Sequence, residues 1–480
     1  MKSVWSESYK IEKREELKGD MAVEAVVVGA GITGLLTAYM LQKKGVEVVV
    51  IERGKILNGN TKNTTAKVTI QHSLIYDKLV KEFNEENARR YTEANKLALE
   101  TYKKIIEENK IDCDFETLDS YVYTLDNPEK IINEYGAAKK IGIDAELVDE
   151  VELPLEIAKA VKFKNQAQFN PVKFLNFIAK DLKIYEDTKA IDIKEGLVIT
   201  NRGEIKAKHI VVATQFPIIN APGYYFLRMH QERDYVIALK NAQKLKGIYR
   251  DENEQGYSFR NYKDLLILVG GSVRTGANEE GGKYNQLREY AKNLYPNSTE
   301  EYSWSAQDCM TSDYIPFIGV YSDEMPNVYV ATGYNKWGMT SSMVAAIIIS
   351  DKIRGKENDF NEIFSPSRFD LTASIKNLTK DFGTTVYNFI AQKISLPASV
   401  LEDVELGHGG IITHEGEKVG VYKNDKGEVF TVSTKCPHLG CELKWNPDDL
   451  AWECPCHGSR FDYKGNFLNS PAIKELKYED

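Results

Sequence analysis

The chain has 480 residues, 42% of them hydrophobic, and a formal net charge of −9; at about 150 residues per domain this predicts two or three domains of ordinary soluble composition. The acidic balance argues against nucleic-acid binding, which takes a basic surface. No apolar run reaches the ~18 residues of a membrane span, and the polar opening "MKSVWSESYKIEKREELKGDM" has no apolar signal core, so the expected compartment is the cytoplasm.

Taken in chain order, Ala22–Val28 is apolar and β-branched, as a buried parallel strand would be. "GAGITG" follows, then "LLTAYMLQKKG" with helical spacing ending in Gly45, then a second buried strand, "VEVVVIER". This βαβ unit carries a dinucleotide fingerprint. Gly29 permits the tight turn, Gly31 lets the backbone approach a pyrophosphate, and Gly34 allows close helix–strand packing. The helix N-terminus presents N–H groups and partial positive charge to phosphates. Glu52 ends the second strand about twenty residues on, where a carboxylate accepts from ribose hydroxyls, and Arg53 stands beside it. No second fingerprint is visible, so a separate nicotinamide-binding domain is not expected.

Further on, Tyr76–Asn109 has apolar positions at three and four spacing and reads as helical. Residues 115–260 mix short strand-like and helical pieces. "AKHIVVATQ" and "NVYVATG" read as buried strands returning to the first sheet, and "GMTSSMVAAIIISDKIRGK" as a helix packed on it. "NDFNEIFSPSRFD" has turn residues and no clear period, which places a domain boundary near 358–370. The predicted organisation is a first domain over 1–360, a connector over 361–394 that is helical from about 371 to 393, and an all-β module over 395–480. In the first domain, the parts about 22–75, 185–220 and 325–355 would bind the nucleotide, and 76–184 with 221–324 would bind substrate.

Four of the six cysteines lie in "KCPHLGCELKWNPDDLAWECPCHGS". The spacing is Cys436-x-His438, fifteen residues, then Cys454-x-x-His457. Two Cys and two His would also suit a structural zinc. The boxes "CPHLGC" and "CPCHGS", however, closely resemble the two loops of Rieske proteins, which are also all-β. The resemblance implies a [2Fe–2S] cluster with Cys436 and Cys454 on one iron and His438 and His457 on the other. Neutral imidazoles in place of two thiolates raise the potential to about −150 to +300 mV. Cys441 and Cys456 stand where high-potential Rieske proteins carry a loop-linking disulfide; in a reducing compartment a pair of free thiols is the competing reading. Ser459 matches a serine that bonds a bridging sulfide in the respiratory members. Phe461 stands where they often carry a tyrosine, which predicts a lower potential here.

Residues 22–355 resemble the D-amino-acid oxidase-like flavoproteins, the superfamily of glycine, sarcosine and gamma-glutamylputrescine oxidases. The resemblance rests on the βαβ unit, "RGEIKAKHIVVAT", "TSDYIPFIG" and "VYVATGYNKWGMTSS". It implies an α/β FAD-binding domain of the glutathione-reductase-like Rossmann type with a β-rich substrate subdomain. Gly333, Gly338, Met339 and Thr340 would sit near the isoalloxazine ring. Thr64 and Thr65 would reach the pyrophosphate, and Lys67, Gln71 and His72 would face the ring, with Lys67 near N1 favouring the anionic reduced flavin. Independently of the resemblance, Tyr257, Arg260 and Arg274 lie on the strand-like stretches "GYSFR" and "LILVGGSVRTG", where an arginine would pair with a substrate carboxylate. His230 is a further candidate for the pocket wall, and Tyr334, Lys336 and Trp337 would shape its mouth. The spacing of Cys309 to Asp313 does not match the covalent flavin attachment of some sarcosine oxidases, so noncovalent FAD is expected.

The pairing implies a two-to-one electron converter. A small amine or amino acid would be oxidised at a C–N bond, and electrons would pass from flavin to cluster to an external acceptor, a protein or a quinone, rather than to oxygen. The alternative is an electron-transfer module that exchanges electrons with a protein partner and has no small substrate. A Rieske oxygenase would need a second iron on two His and a carboxylate, and the five other histidines have no such spacing. Sequence says nothing of oligomeric state.

Overall fold

The structure, a computed structural model, describes residues 2–6, 12–368, 404–414 and 416–476. Strand Met21–Val28 pairs in parallel with Val48–Ile51 on one side and Gly203–Val212 on the other, with Val26 opposite both Val49 and Ile210. Strand Gly203–Val212 pairs in turn with Met325–Thr332, again in parallel, so both returning strands lie where the sequence reading places them. Strand Phe317–Ser322 and strand Lys183–Tyr185 flank this path, and an antiparallel hairpin, Ala190–Lys194 with Leu197–Thr200, completes an eight-stranded sheet. Its central strands are near-continuous β-branched runs because both faces are covered. Helices Ile32–Lys43 and Gly338–Ile353 pack against each other on this sheet. The second is buried from Met339 to Asp351, and its central run Met343–Ile349 is apolar on every face, as a helix covered all round must be.

The segment read as one helix from Tyr76 is two, Ile75–Phe83 and Glu85–Asn109. The break is at Asn84, which takes φ +83° and accepts the Asn87 N–H on its side chain at 3.0 Å. Asn tolerates positive φ and is a strong helix cap; the apolar spacing runs through the break and hides it.

A nine-stranded mixed sheet forms the second half of the N-terminal unit, running from Thr299–Thr311 through Met229–Lys240, Leu265–Arg274 and Ser258–Tyr262 to Glu116–Thr124 and Lys159–Gln168. The C-terminal module is all-β, with one three-stranded and one four-stranded antiparallel sheet around buried Trp452, Phe461, Val432 and Leu443. A short helix, Asn361–Phe364, lies in the stretch read as turns. The helical connector expected at about 371–393 lies outside the described residues. Among the described residues no helix is long and apolar enough to cross a membrane.

The two units share a buried ionic network. Arg233, on the nine-stranded sheet, pairs with Asp449 at 2.5 Å and Glu453 at 3.5 Å, and Arg460 pairs with the same carboxylates at 2.7 and 2.8 Å. The Gly276 N–H donates to Glu453 at 2.9 Å. Asp448 accepts the N–H groups of Gly282 (3.1 Å) and Lys283 (2.9 Å), which open helix Lys283–Leu294. That helix has Gly at its N-cap, so its cap is supplied by the other unit.

Candidate active site and metal centre

A cavity of about 500 Å³ runs along the glycine loop and between the two large sheets. Gly29 has φ +110°, and a Cβ there would stand 2.5 Å from the Ala213 carbonyl oxygen. A Cβ on Gly34 would meet the Gly29 carbonyl oxygen at 1.9 Å, so this glycine serves packing and does not line the cavity. Gly31 is the N-cap of helix Ile32–Lys43, whose first turn holds no acidic residue; Gly31, Ile32 and Thr33 face the cavity. This is a cradle for phosphates. The Glu52 carboxylate accepts from Ala30 N–H (2.9 Å) and Gly54 N–H (3.0 Å), which fixes it at the cavity wall beside Arg53. Thr64 and Thr65 line the same wall.

The cysteine segment forms two matching loops. In one, Cys436 N–H donates to Cys441 O and Gly440 N–H to Cys436 O, both at 2.8 Å; in the other, Cys454 N–H donates to Ser459 O at 2.8 Å and Gly458 N–H to Cys454 O at 2.9 Å. The loops bring the His438 and His457 rings to 4.9 Å between centroids. The Nδ1 atoms of both rings are buried and have no hydrogen-bond partner. The Cys436 and Cys454 thiols are buried and free, while Cys441 and Cys456 are joined as a disulfide. The sulfurs of Cys441, Cys454 and Cys456 lie within 4.8 Å of one another, and the disulfide leaves Cys454 as the free thiol among them. Burial holds both imidazoles neutral, His438 down to about 3 and His457 to about 4 with help from Arg274. Two thiols and two neutral imidazoles with orphaned Nδ1 atoms fit a two-Cys, two-His iron–sulfur centre.

Residues 24–352 match the model of the FAD dependent oxidoreductase family, and residues 397–478 match that of the Rieske [2Fe-2S] domain. The chain belongs to the FAD dependent oxidoreductase family and carries a Rieske domain. Its cofactors are FAD and a [2Fe–2S] cluster. It is 38% identical over 493 residues to YhfW of Bacillus subtilis, provisionally described as a Rieske 2Fe-2S iron-sulfur protein, covering 99% of this chain and 97% of that one. It is 21% identical to the gamma-glutamylputrescine oxidoreductase of Escherichia coli over 72% of this chain and 87% of that one. Its fold matches glycine oxidase from Geobacillus kaustophilus with a TM-score of 0.62 at 18% identity, over 72% of this chain and 99% of that one.

At the far end of the cavity from Glu52, the wall includes Gly333, Gly338, Met339, Lys67 and Trp337. Lys67 donates to Ser258 Oγ at 2.6 Å. Burial, with Arg250 and Arg260 nearby, brings its ammonium down to about 7. Asp308 lines the cavity too, and burial together with Asp234 and Glu232 pushes its carboxyl up to about 7 against the pull of Lys336. Lys336 bridges Glu232 and Asp234 at 3.0 Å each. Arg250 completes this wall, held by a 2.8 Å bond from Nε to Ser73 Oγ.

The expectations for His72, Thr340, Arg274 and Arg260 at this end differ from the structure. His72 does not line the cavity. It is buried behind Trp337, stacked at 4.9 Å, with Nε2 2.8 Å from Thr69 O and Nδ1 2.6 Å from Tyr91 Oη. Nε2–H therefore donates to the carbonyl and Nδ1 accepts from the phenol; burial lowers the imidazole to about 3, so it stays neutral. Thr340 turns toward the same histidine, at 3.0 Å, and away from the cavity. Arg274 is exposed and its charge acts on His457, not on the cavity. Arg260 is buried and donates to the Thr65 and Ala66 carbonyls at 2.7 and 2.8 Å, so it shapes the loop that carries Lys67. The arginine at the cavity is Arg250, which sequence reading missed. It lies on strand Gly247–Asp251, a run with no motif to mark it. Asp308 was missed although it precedes Cys309. The Cys309 thiol is buried, its pKa pushed well up by burial, and it donates to Gln215 O at 3.5 Å.

One stretch of the flavin domain touches both sites. Thr214, Gln215 and Ile218 line the cavity. Asn220 Oδ1 lies 2.6 Å from His438 Nε2, and the Phe226 ring stands edge-on to both imidazoles, 6.0 Å from His438 and 5.5 Å from His457. Beside it, Gln231 donates to His457 O and Gln307 to Gly458 O, each at 2.7 Å. Gly458 has φ +81°, and a Cβ there would stand 2.6 Å from Gln231 Cβ; only glycine lets the cluster loop sit this close.

Proposed function

We propose that the enzyme dehydrogenates a C–N bond of a small amine or amino acid, giving an imine that hydrolyses, and that the two electrons leave singly through the Rieske domain to an external acceptor, a protein or a quinone. The observation that carries this is the stretch Thr214–Phe226, which borders the flavin cavity at one end and both cluster imidazoles at the other. Bound FAD supplies a two-electron acceptor and the cluster a one-electron carrier. The chain supplies the rest. Arg250 offers a fixed guanidinium to a substrate carboxylate. The Asp308 carboxylate, which titrates near neutrality, takes a proton from the substrate ammonium so that the amine is neutral when it reacts. Lys67 puts a positive charge on the cavity wall, where it favours the reduced flavin. The protonated thiol of Cys309, bonded to a carbonyl, supports noncovalent FAD.

The test is anaerobic mixing with a panel of amines and amino acids, read by flavin absorbance and low-temperature EPR. Flavin bleaching followed by a Rieske EPR signal supports the reading. Bleaching without that signal removes the route through the cluster. Bleaching only by a reduced carrier protein replaces the dehydrogenase with an electron-transfer module.

A further inference from the structure

We infer that the Rieske domain supplies part of the FAD site: residues 467–473 roof the cavity at the end held by Glu52 and Arg53, so bound FAD is enclosed by both domains. The inference rests on FAD occupying the cavity along the glycine loop. Phe467, Ser470, Ala472 and Ile473 face that cavity, although they lie more than a hundred residues beyond the flavin-family match. Their contacts form a built edge. The Arg53 guanidinium stacks on the Phe467 ring at 3.6 Å and donates to Leu468 O at 2.7 Å. Lys189, whose neighbour Thr188 donates its N–H to Glu52 O at 2.9 Å, donates to Ile473 O. Ser470 Oγ donates to Thr214 O at 3.3 Å. Each rim residue of the flavin domain also lines the cavity, so the roof is fastened to the walls of the site itself.

The roof is also tied to the cluster. Ala472, 1% exposed, donates its N–H to Ser459 Oγ at 2.9 Å, and the carbonyl of the same Ser459 accepts from Cys454 N–H at 2.8 Å in the cysteine loop. A dinucleotide filling this cavity would thus have the Rieske domain against its adenosine end as well as at the Thr214–Phe226 stretch. Two results follow. FAD must enter before the Rieske domain docks or while this edge is lifted, and FAD release requires the roof to open.

Hydrogen exchange on the full-length, cluster-containing protein, with FAD removed and then restored, tests this. FAD is expected to slow exchange in both Gly29–Gly34 and residues 467–473. Slowing in the glycine loop alone would overturn the roof, and slowing in neither would remove the FAD assignment of the cavity and the roof with it. In parallel, Phe467→Ala is expected to speed FAD release on dilution several-fold, with Phe467→Tyr close to wild type and the Rieske EPR signal unchanged in both. An unchanged release rate in Phe467→Ala with the EPR signal intact would also overturn it.

Discussion

Asn220 Oδ1 in the flavin domain accepts from Nε2 of His438 in the Rieske domain at 2.6 Å. Nδ1 is the orphaned nitrogen, free to hold iron; Nε2 then carries the proton and the amide oxygen is the acceptor. Such a bond moves electron density onto the imidazole and favours the oxidised cluster. Asn220→Ala is therefore expected to raise the cluster midpoint potential. A hydrogen bond of about 1 kcal/mol corresponds to about 40 mV for one electron. An EPR-monitored titration checks this; a potential that does not move would show that the contact leaves the cluster untouched.

Phe461 is fully buried in the Rieske core, its ring facing Phe467 at 6.1 Å. A phenol at this position would donate to a ligand sulfur and stabilise the reduced, more negative centre. Phe461→Tyr should raise the potential by a similar amount, on the order of 40 mV for one added hydrogen bond. No rise on potentiometric titration would refute the assignment of this position.

Lys67 carries a proton that leaves near pH 7. Below that pH the ammonium favours the reduced flavin; above it the charge is gone. Lys67→Met should lower the flavin potential at pH 6 by an amount set by one lost charge, about 1–4 kcal/mol at an effective dielectric of about 20. At pH 9 variant and wild type should converge. Dye-equilibrated titrations at the two pH values measure both, and an equal gap at both would assign the effect to something other than this proton. The same shift acts on folding. The buried lysine binds its proton less readily than in the unfolded chain, so its contribution to stability rises with pH from about 7 to about 10.5.

Arg250 separates amino acids from simple amines. If the substrate has a carboxylate, Arg250→Met should raise KM by about a hundredfold, the loss of a charge-assisted bond of about 2–3 kcal/mol. With a simple amine as substrate, KM should change little. Steady-state kinetics on whichever compound bleaches the flavin decide this, and His72→Gln, a change behind the cavity wall, serves as the comparison.

Asp449→Asn would leave Arg233 and Arg460 sharing Glu453 in a buried interface. Breaking a buried pair costs about 3–5 kcal/mol, and thermal or urea unfolding should show it. Lys444→Ala, which removes an exposed pair with Glu279, should cost less than about 1 kcal/mol. Desolvation pushes the Asp449 carboxyl up, but Arg233 and Arg460 bring it below its ordinary value. Its contribution is thus complete above about pH 4 and lost as pH falls through the folded value.

The glycine loop and the two Cys–His boxes were legible because each sits on a short segment with its own geometry. Gly29, Gly31 and Gly34 span six residues, and Cys436, His438, Cys454 and His457 occupy two matched loops. The ring end of the cavity was not legible in that way. Its wall is drawn from strands far apart in sequence, and sheet register decides which side chain faces inward. Arg250 faces the cavity, whereas Arg274, at the end of a strand two places along the same sheet, is exposed and its charge acts on His457. His72 follows the right loop but turns back into Tyr91 and Thr69, a direction no spacing encodes. The roof over Arg53 depends on domain docking, for which residues 467–473 carry no local signal.

The ionic network, the helix capped by Asp448 and the cavity roof grip the Rieske domain at separate points. A carrier that shuttled between two stations would have to strand Arg233 in each cycle, since Asp449 and Glu453 would leave with the Rieske domain. On the proposed route, a cluster held this way would be a wire soldered in place. The interval between flavin and iron would be set when the protein folds, and turnover should be indifferent to the viscosity of the medium, since no domain would have to swing for an electron to cross.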